Sequence, residues 1–139
     1  MCSCSRRTAI AILASAALGG PALAASDERT RKFIDAAFKM KAEAERTGDQ
    51  PYGAVVVKGD EIVGFGPSRV VIKRDWTAHA EREAMRDAQQ RLARADLSDC
   101  VMYSTSRPCS NCERAATEAR LGRMFHGPNA TDAGPPRSL

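Results

Sequence analysis

Two short segments, about 30 residues apart, constrain the fold of this chain more than any other feature. Thr77–Glu81 contains a histidine and a glutamate two residues apart, and Arg107–Cys112 contains two cysteines three residues apart behind a proline. One imidazole and two thiols match the ligand preferences of zinc, and a shell of three protein ligands leaves a fourth position for water, as hydrolytic zinc sites do. The chain must therefore fold so that the two segments meet at one point.

Helix geometry indicates how these side chains reach that point. At about 100° of rotation per residue, the two cysteines lie on one face of a first helical turn, and Pro108 is suited to begin that helix. His79 and Glu81 would diverge in a helix interior, so they can serve one site only at a helix N-terminus, for which Thr77 is the predicted N-cap. We therefore expect two helix N-termini to face each other across a metal ion.

Together the two segments resemble the zinc-binding signature of the cytidine/deoxycytidylate deaminase superfamily, in which H-x-E is followed by P-C-x-x-C. The wider context, from Pro51–Val57 to Ala84, resembles the branch that holds guanine deaminase, yeast-type cytosine deaminase and the tRNA adenosine deaminases. The similarity runs from about Phe33 to about Gly127. It implies a three-layer α/β/α fold and a zinc-dependent hydrolytic deaminase that releases ammonia from a small aminated heterocycle, such as a nucleobase or nucleoside.

The resemblance also implies a role for each residue of the motifs. His79, Cys109 and Cys112 would hold Zn²⁺, and Glu81 would be the catalytic acid/base that moves protons between water and the substrate. Glu83, four residues after His79, is a competing candidate base that we expect to pair with a neighbouring arginine instead. The residues expected to contact substrate are Ser68, Trp76, Ala80 and Arg107.

Three of the expected substrate contacts depart from the pattern of the relatives. Ser68 occupies a position where relatives place an asparagine that binds the base, and a hydroxyl offers a shorter reach and fewer groups. Trp76, where relatives often have proline, could form an aromatic wall for a flat ring or anchor a half-buried loop. Arg107 could meet an anionic group of the substrate or lie as a surface charge. These departures leave the identity of the ring open.

Two other functions fit parts of the same pattern. A chain without the usual asparagine could hold zinc and have lost turnover. A Cys-x-x-Cys pair at a helix start could also be a thiol-disulfide pair of thioredoxin type. Thiol-disulfide chemistry does not require His79 and Glu81, so the zinc deaminase is the preferred interpretation.

Residues 1–24 are predicted to be a signal peptide rather than part of the domain. Arg6 and Arg7 precede an uncharged apolar run from Ala9 to Gly19, and Ala22-x-Ala24 supplies the small residues of a cleavage site. The run is too short to span a membrane. The paired arginines indicate the twin-arginine route, so we predict a periplasmic or otherwise exported protein.

Charge argues against a nucleic-acid partner. Loss of residues 1–24 removes two arginines and no acidic residue, which lowers the formal net charge from +4 to +2. A chain this close to neutral lacks the basic surface that binds phosphate backbones. We therefore expect a small-molecule substrate, no nucleic acid, and no membrane contact once the signal peptide is removed.

The remaining chain reads as one domain, residues 25–127, with an α/β fold. A mixed sheet with helices on both faces is predicted from an antiparallel hairpin and a parallel strand–helix–strand unit. The predicted elements are a helix from an N-cap at Ser26 to about Thr47, a hairpin over Tyr52–Lys58 and Glu61–Phe65, a helix over Ala78–Ala93, a strand over Cys100–Ser104, a helix from Pro108, and a strand over Arg123–His126.

The C-terminal part is predicted to be shortened. Residues 128–139 have no periodic pattern and are expected to be a disordered tail. The fourth strand would then be an open sheet edge, a hazard that pairing with a second copy removes. This predicts a homodimer or a higher homo-oligomer.

Overall fold

The structure, a computed structural model, describes the backbone of residues 21–138 and the side chains of residues 27–138. Helices and strands are numbered here in chain order: α1 (Pro21–Arg46), β1 (Gly53–Lys58), β2 (Glu61–Pro67), α2 (Val70–Lys73), α3 (Ala80–Leu92), β3 (Cys100–Ser104), α4 (Ser110–Glu118), β4 (Arg123–His126) and β5 (Thr131–Gly134). Among the described helices, none combines the length and the apolar character needed to cross a membrane.

The strands form one mixed sheet in the order β2-β1-β3-β4-β5. β1 pairs antiparallel with both β2 and β3. β3 and β4, which α4 connects in the chain, are neighbours and run parallel. The predicted hairpin, the third strand and the parallel strand–helix–strand unit are therefore confirmed.

Helices cover both faces of this sheet, and β1 shows why. Val55 and Val57 pack with Phe33 of α1 in one apolar cluster, whereas Ala54 and Val56 pack with α3 and α4 in another. Because successive strand residues point to opposite faces, a strand covered on both sides needs an unbroken apolar run. The run of three valines thus accounts for the three-layer α/β/α architecture, which is confirmed.

The N-terminal helix begins earlier than the sequence indicated. α1 starts at Pro21, so Ser26 lies inside the helix and its prediction as an N-cap is wrong. Residues 1–20, most of the predicted signal peptide, lie outside the described residues, and export stays a prediction. At its other end α1 stops at Arg46, and Gly48 follows with φ of 81°, in agreement with the predicted end.

The C-terminal segment was predicted to be disordered, and that prediction is wrong for its first half. Residues 131–134 form β5, which pairs antiparallel with β4 after a turn at Gly127. Arg123 and Asp132 join the two strands through an ion pair of 2.7 Å. Ala133 of β5 also packs against the apolar cluster of the sheet. A strand of only four residues is too short to show a clear apolar alternation in the sequence. Since β5 pairs with β4, the fourth strand is not an edge of the described sheet, whose edge strands are β2 and β5. The argument for an oligomer from an open β4 edge is therefore lost, and self-association stays a prediction.

Glycines let two helices lie unusually close to the sheet. A methyl group on Gly66 of β2 would overlap backbone atoms of Ala80 and Ala84 at the start of α3, and one on Gly53 would overlap the backbone of α1. Helix α3 therefore rests directly on β2, which fixes the position of its N-terminus.

Gly66→Ala should lower the free energy of unfolding by at least about 2 kcal/mol, because the new methyl group must push α3 away from the sheet. Urea denaturation measures the change. The control is Gly59→Ala, where the added methyl group meets open space. Its loss of stability, about 1 kcal/mol, comes only from placing alanine at a positive φ of 60°. Equal losses in the two variants would contradict the close approach.

Candidate metal centre and substrate cavity

The start of α3 positions His79 and Glu81. His79 is the N-cap residue, with extended backbone angles of φ −61° and ψ 153°, and Glu81 is the second residue of the helix. Thr77, the predicted N-cap, instead closes a turn in which its amide and its hydroxyl donate to Asp75 Oδ1 at 2.8 and 2.7 Å. The N-cap assignment was therefore wrong by two residues, while the expected placement of His79 and Glu81 at a helix N-terminus is confirmed.

The start of α4 positions the two cysteines in the same way. Cys109 is the N-cap, and Cys112 is the third residue of the helix. Pro108, expected to begin the helix, lies two residues before it. The Glu113 amide closes the first turn on the Cys109 carbonyl at 2.9 Å. One helical turn thus carries an exposed thiol at its cap and a fully buried thiol inside.

The three predicted metal ligands converge. His79 Nδ1 lies 3.6 Å from Cys109 Sγ and 3.4 Å from Cys112 Sγ, and all three donor atoms lie within 4.8 Å of one another. Tetrahedral zinc with ordinary Zn–S and Zn–N bond lengths would hold nitrogen and sulfur about 3.5 Å apart. The spacing of the donors therefore fits a zinc ion bound by one imidazole and two sulfurs.

Glu81 lies beside this donor set. Its Oε2 is 3.7 Å from Cys112 Sγ, and only 6% of the residue is exposed. Burial raises the pKa of the Glu81 carboxyl. Burial, followed by the nearby Glu81 carboxylate, also raises the pKa of the Cys112 thiol. A thiol and a carboxyl that both resist ionisation in the bare protein are a donor environment in which a cation would be favourable.

A cavity of about 600 Å³ opens beside the donor set. All the substrate contacts expected from the sequence line it together with the metal-site residues His79, Glu81 and Cys109. The full lining is Gln50, Tyr52, Ser68, Trp76, His79, Ala80, Glu81, Ser106, Arg107 and Cys109. The cavity is therefore the place where a small molecule could meet the candidate metal centre.

The expected contacts differ in what they can offer to such a molecule. Trp76 is 83% exposed, so it is not a half-buried anchor, and its indole stands at the cavity as an available aromatic surface. Arg107 is exposed and forms no salt bridge within residues 27–138. Ala80 is 1% exposed and packs in the core, which leaves its backbone as the part that can face the cavity.

Ser68 is less available than the sequence indicated. It is 1% exposed, and its hydroxyl donates to Asp49 Oδ1 at 2.9 Å. Asp49 also accepts hydrogen bonds from the amides of Gln50, Val71 and Ile72 at 2.8 to 3.0 Å. The Ser68 proton is thus committed to a carboxylate that ties the start of α2 to the residues before β1.

The same network decides the ionisation of Asp49. Burial acts to raise the pKa of this carboxyl, but the four hydrogen bonds together hold its pKa below the ordinary value. The group is therefore ionised in the folded protein at neutral pH, and it stabilises the wall of the cavity as an anion.

The sequence did not point to three of the lining residues, Gln50, Tyr52 and Ser106. The register of the sheet explains their position. Ala54 of β1 lies opposite Ser104 of β3, so the residues that enter β1 lie beside the residues that leave β3 toward Cys109. A prediction that β1 and β3 pair antiparallel would have placed Gln50, Tyr52 and Ser106 at this site.

Glu83, the competing base, lies outside the cavity lining and is engaged elsewhere. Its carboxylate pairs with Lys73 at 2.6 Å and Arg86 at 2.8 Å, with Arg69 at 3.9 Å. The expected pairing with an arginine is confirmed. A larger surface cleft of about 930 Å³ includes these groups but contains neither His79, Glu81 nor the cysteines, so it is not the candidate site.

Comparison with known proteins agrees with this geometry. Residues 27–127 match the model of the cytidine and deoxycytidylate deaminase zinc-binding region. The chain is 36% identical to guanine deaminase of Bacillus subtilis over 102 residues, which cover 73% of this chain and 65% of that protein. It is 33% identical to the tRNA-specific adenosine deaminase of Buchnera aphidicola subsp. Schizaphis graminum over 104 residues, covering 75% and 69%. The match thus spans slightly less than two thirds of the guanine deaminase.

Solved structures give the same picture. The X-ray structure of the B. subtilis guanine deaminase superposes with a TM-score of 0.66 at 35% identity, covering 69% of this chain and 62% of that one. A structure from work on A-to-I editing by tRNA:A34 deaminases superposes with a TM-score of 0.67 at 31% identity, covering 71% and 75%.

Asp49→Ala should lower the free energy of unfolding by about 2–3 kcal/mol at pH 7, because buried amides and a hydroxyl lose a charged acceptor. Since the folded pKa is depressed, the contribution is complete above the ordinary aspartate pKa of about 3.9 and is lost as pH falls through the lower folded value. Urea denaturation from pH 3 to pH 7 measures both effects. Asp60→Ala, which removes only an exposed pair with Arg29, should cost below about 1 kcal/mol. A pH-independent difference between Asp49→Ala and the unaltered chain would contradict the assignment.

Proposed function

Because the chain belongs to the cytidine and deoxycytidylate deaminase zinc-binding family, we propose that it is a hydrolytic deaminase of a small aminated heterocycle. The observation that carries the proposal is the convergence of one imidazole nitrogen, two sulfurs and a buried carboxylate at one end of a cavity of about 600 Å³. In the net reaction, water oxygen bonds to the ring carbon, and the bond to the exocyclic nitrogen breaks to release ammonia.

The residues that would hold Zn²⁺ are His79, Cys109 and Cys112. When bound there, the ion would supply Lewis acidity that makes water a stronger acid and a better nucleophile at neutral pH. Two thiolates balance the formal charge of the ion, so the site depends on a nearby base to take the proton of that water. The position of Glu81, 3.7 Å from Cys112 Sγ, supports it as that base.

Glu81 would act by carrying protons. Its burial raises the pKa of the carboxyl, which brings the group closer to the pH at which it can both accept and return a proton. It would accept one proton from the attacking water and pass it to the ring nitrogen next to the reacting carbon. It would then take the second proton from the same oxygen, as the C=O bond forms, and deliver it to the amine as the C–N bond breaks. The buried position also excludes bulk water that would compete as a proton source.

The cavity supports a flat, small substrate. The exposed indole of Trp76 and the ring of Tyr52 offer aromatic surface for stacking, and Arg107 offers a cation at the rim. The predicted mature chain has a net charge of only +2, which favours a free base or nucleoside over tRNA. If residues 1–24 direct export, this reaction takes place in the periplasm. Export is a part of the proposal that rests on the sequence alone.

The full chain loaded with zinc should release ammonia from at least one member of a panel of guanine, adenine, cytosine, their nucleosides and aminated pterins. Glu81→Gln should keep its zinc and lower kcat by about 10²–10⁴, because the proton carrier is gone. Glu45→Gln, which changes an exposed carboxylate on α1, is the matched control and should keep full activity.

Two outcomes would count against this assignment. A Glu81→Gln variant within tenfold of the unaltered rate would remove Glu81 from its role. Stoichiometric zinc without ammonia release from any panel member would favour the alternative of a zinc-holding protein that has lost turnover.

Cys112→Ser should reduce bound zinc from about one equivalent to a small fraction, because a serine hydroxyl is a far weaker ligand than a thiolate. Elemental analysis of the purified protein measures the metal. Cys100→Ser removes a different buried thiol and should retain zinc. A thiol-disulfide protein would instead show a reducible Cys109–Cys112 bond and no stoichiometric metal.

A further inference from the structure

The side chain at position 68 does not have the freedom to recognise a substrate ring. Ser68 is 1% exposed, and the one proton of its hydroxyl is donated to Asp49. A hydroxyl that is buried and already donating has only lone pairs left to offer, whereas the edge of an aminated ring presents donors and acceptors together. Another group must therefore form hydrogen bonds with that edge if a ring is to be held in a fixed position relative to Glu81.

The remaining polar groups of the cavity are few, and they differ in chemistry. Glu81 is reserved for proton transfer, Arg107 only donates, and Ser106 and Tyr52 each offer a single hydroxyl. Gln50 supplies the one carboxamide among the described lining residues, and an amide presents a donor and an acceptor side by side. It is therefore the group in this cavity that can pair with two adjacent atoms of a ring.

The position of Gln50 is fixed while its side chain is available. Its backbone amide donates to Asp49 Oδ1 at 2.8 Å, and its carbonyl accepts from the Tyr52 amide at 2.8 Å. Among residues 27–138, the Gln50 carboxamide makes no hydrogen bond. The same carboxylate thus holds Ser68 in the wall and sets Gln50 at the cavity, so one anchor serves both positions.

We propose that Gln50 is the specificity-determining residue of this site, and that its carboxamide pairs with the ring edge of the substrate in place of the side chain at position 68. The inference rests on the proposed function, since it names the residue that recognises the ring in the same cavity. A substrate of this site must then carry an adjacent donor and acceptor on an edge away from the reacting amine.

The test measures binding, so that it does not depend on turnover. Zinc-loaded full-length Glu81→Gln protein is titrated calorimetrically with guanine, adenine and cytosine, and with analogues of each in which one ring nitrogen is replaced by C–H. The titrations are repeated after adding Gln50→Ala, and after adding the matched control Gln90→Ala, which truncates an exposed glutamine on α3 outside the cavity.

Gln50→Ala should weaken the best-bound ring at least about tenfold. It should also abolish discrimination against one particular deaza analogue, while Gln90→Ala leaves both properties unchanged. Loss of discrimination identifies the atom that Gln50 contacts, because a double-mutant cycle isolates that pair.

Two results overturn the inference. The first is ring binding with the same analogue discrimination in Gln50→Ala and Gln90→Ala, and the second is the absence of binding by every ring. Ammonia release by the unaltered chain is measured in parallel. If ammonia is released but Gln50→Ala leaves the discrimination between analogues unchanged, only the role of Gln50 is rejected. If no ammonia is released but ring binding depends on Gln50, the deaminase assignment is rejected and the recognition site is kept.

Discussion

The structure depends on bringing the N-termini of two helices to one point. α3 and α4 lie on the same face of the sheet and share its apolar cluster, and the N-cap residue of each is a candidate metal ligand, His79 for α3 and Cys109 for α4. Because both ligands are N-cap residues with extended backbones, their side chains leave the helices where free amides also concentrate positive charge. That charge favours anionic groups in general, but burial raises the pKa of the Cys112 thiol, so the helix N-termini bring the candidate ligands together without ionising this sulfur.

Two buried carboxylates, Asp49 and Glu83, anchor the short helix α2. Asp49 binds the amides at the start of α2, and Glu83 joins α3 to Lys73 at the end of the same short helix. A four-residue helix has too few hydrogen bonds to be stable alone. Its attachment at both ends therefore stabilises the helix that precedes Trp76 in the chain.

Sequence reasoning succeeded where a local pattern and a motif agreed, and failed where a long-range contact decided. The strand Cys100–Ser104 and the two ligand segments follow from composition and spacing, because each is specified by neighbours in the chain. The N-cap of α3 could not be predicted, since the side chain of Thr77 is diverted to Asp75. β5 was missed because a four-residue strand is too short to show a pattern in the sequence. Gln50 was missed because its place in the cavity depends on strand register rather than on any motif.

The unequal exposure of the two cysteines has a chemical consequence. Cys109 lies at the surface whereas Cys112 is wholly enclosed, so an alkylating agent or peroxide in the surrounding medium encounters the former first. Modification of Cys109 would leave His79 and the buried Cys112 thiol, whose pKa is raised by burial. These two groups alone would bind a cation weakly. The resistance of this donor cluster to oxidation thus depends mainly on the outward-facing sulfur of Cys109.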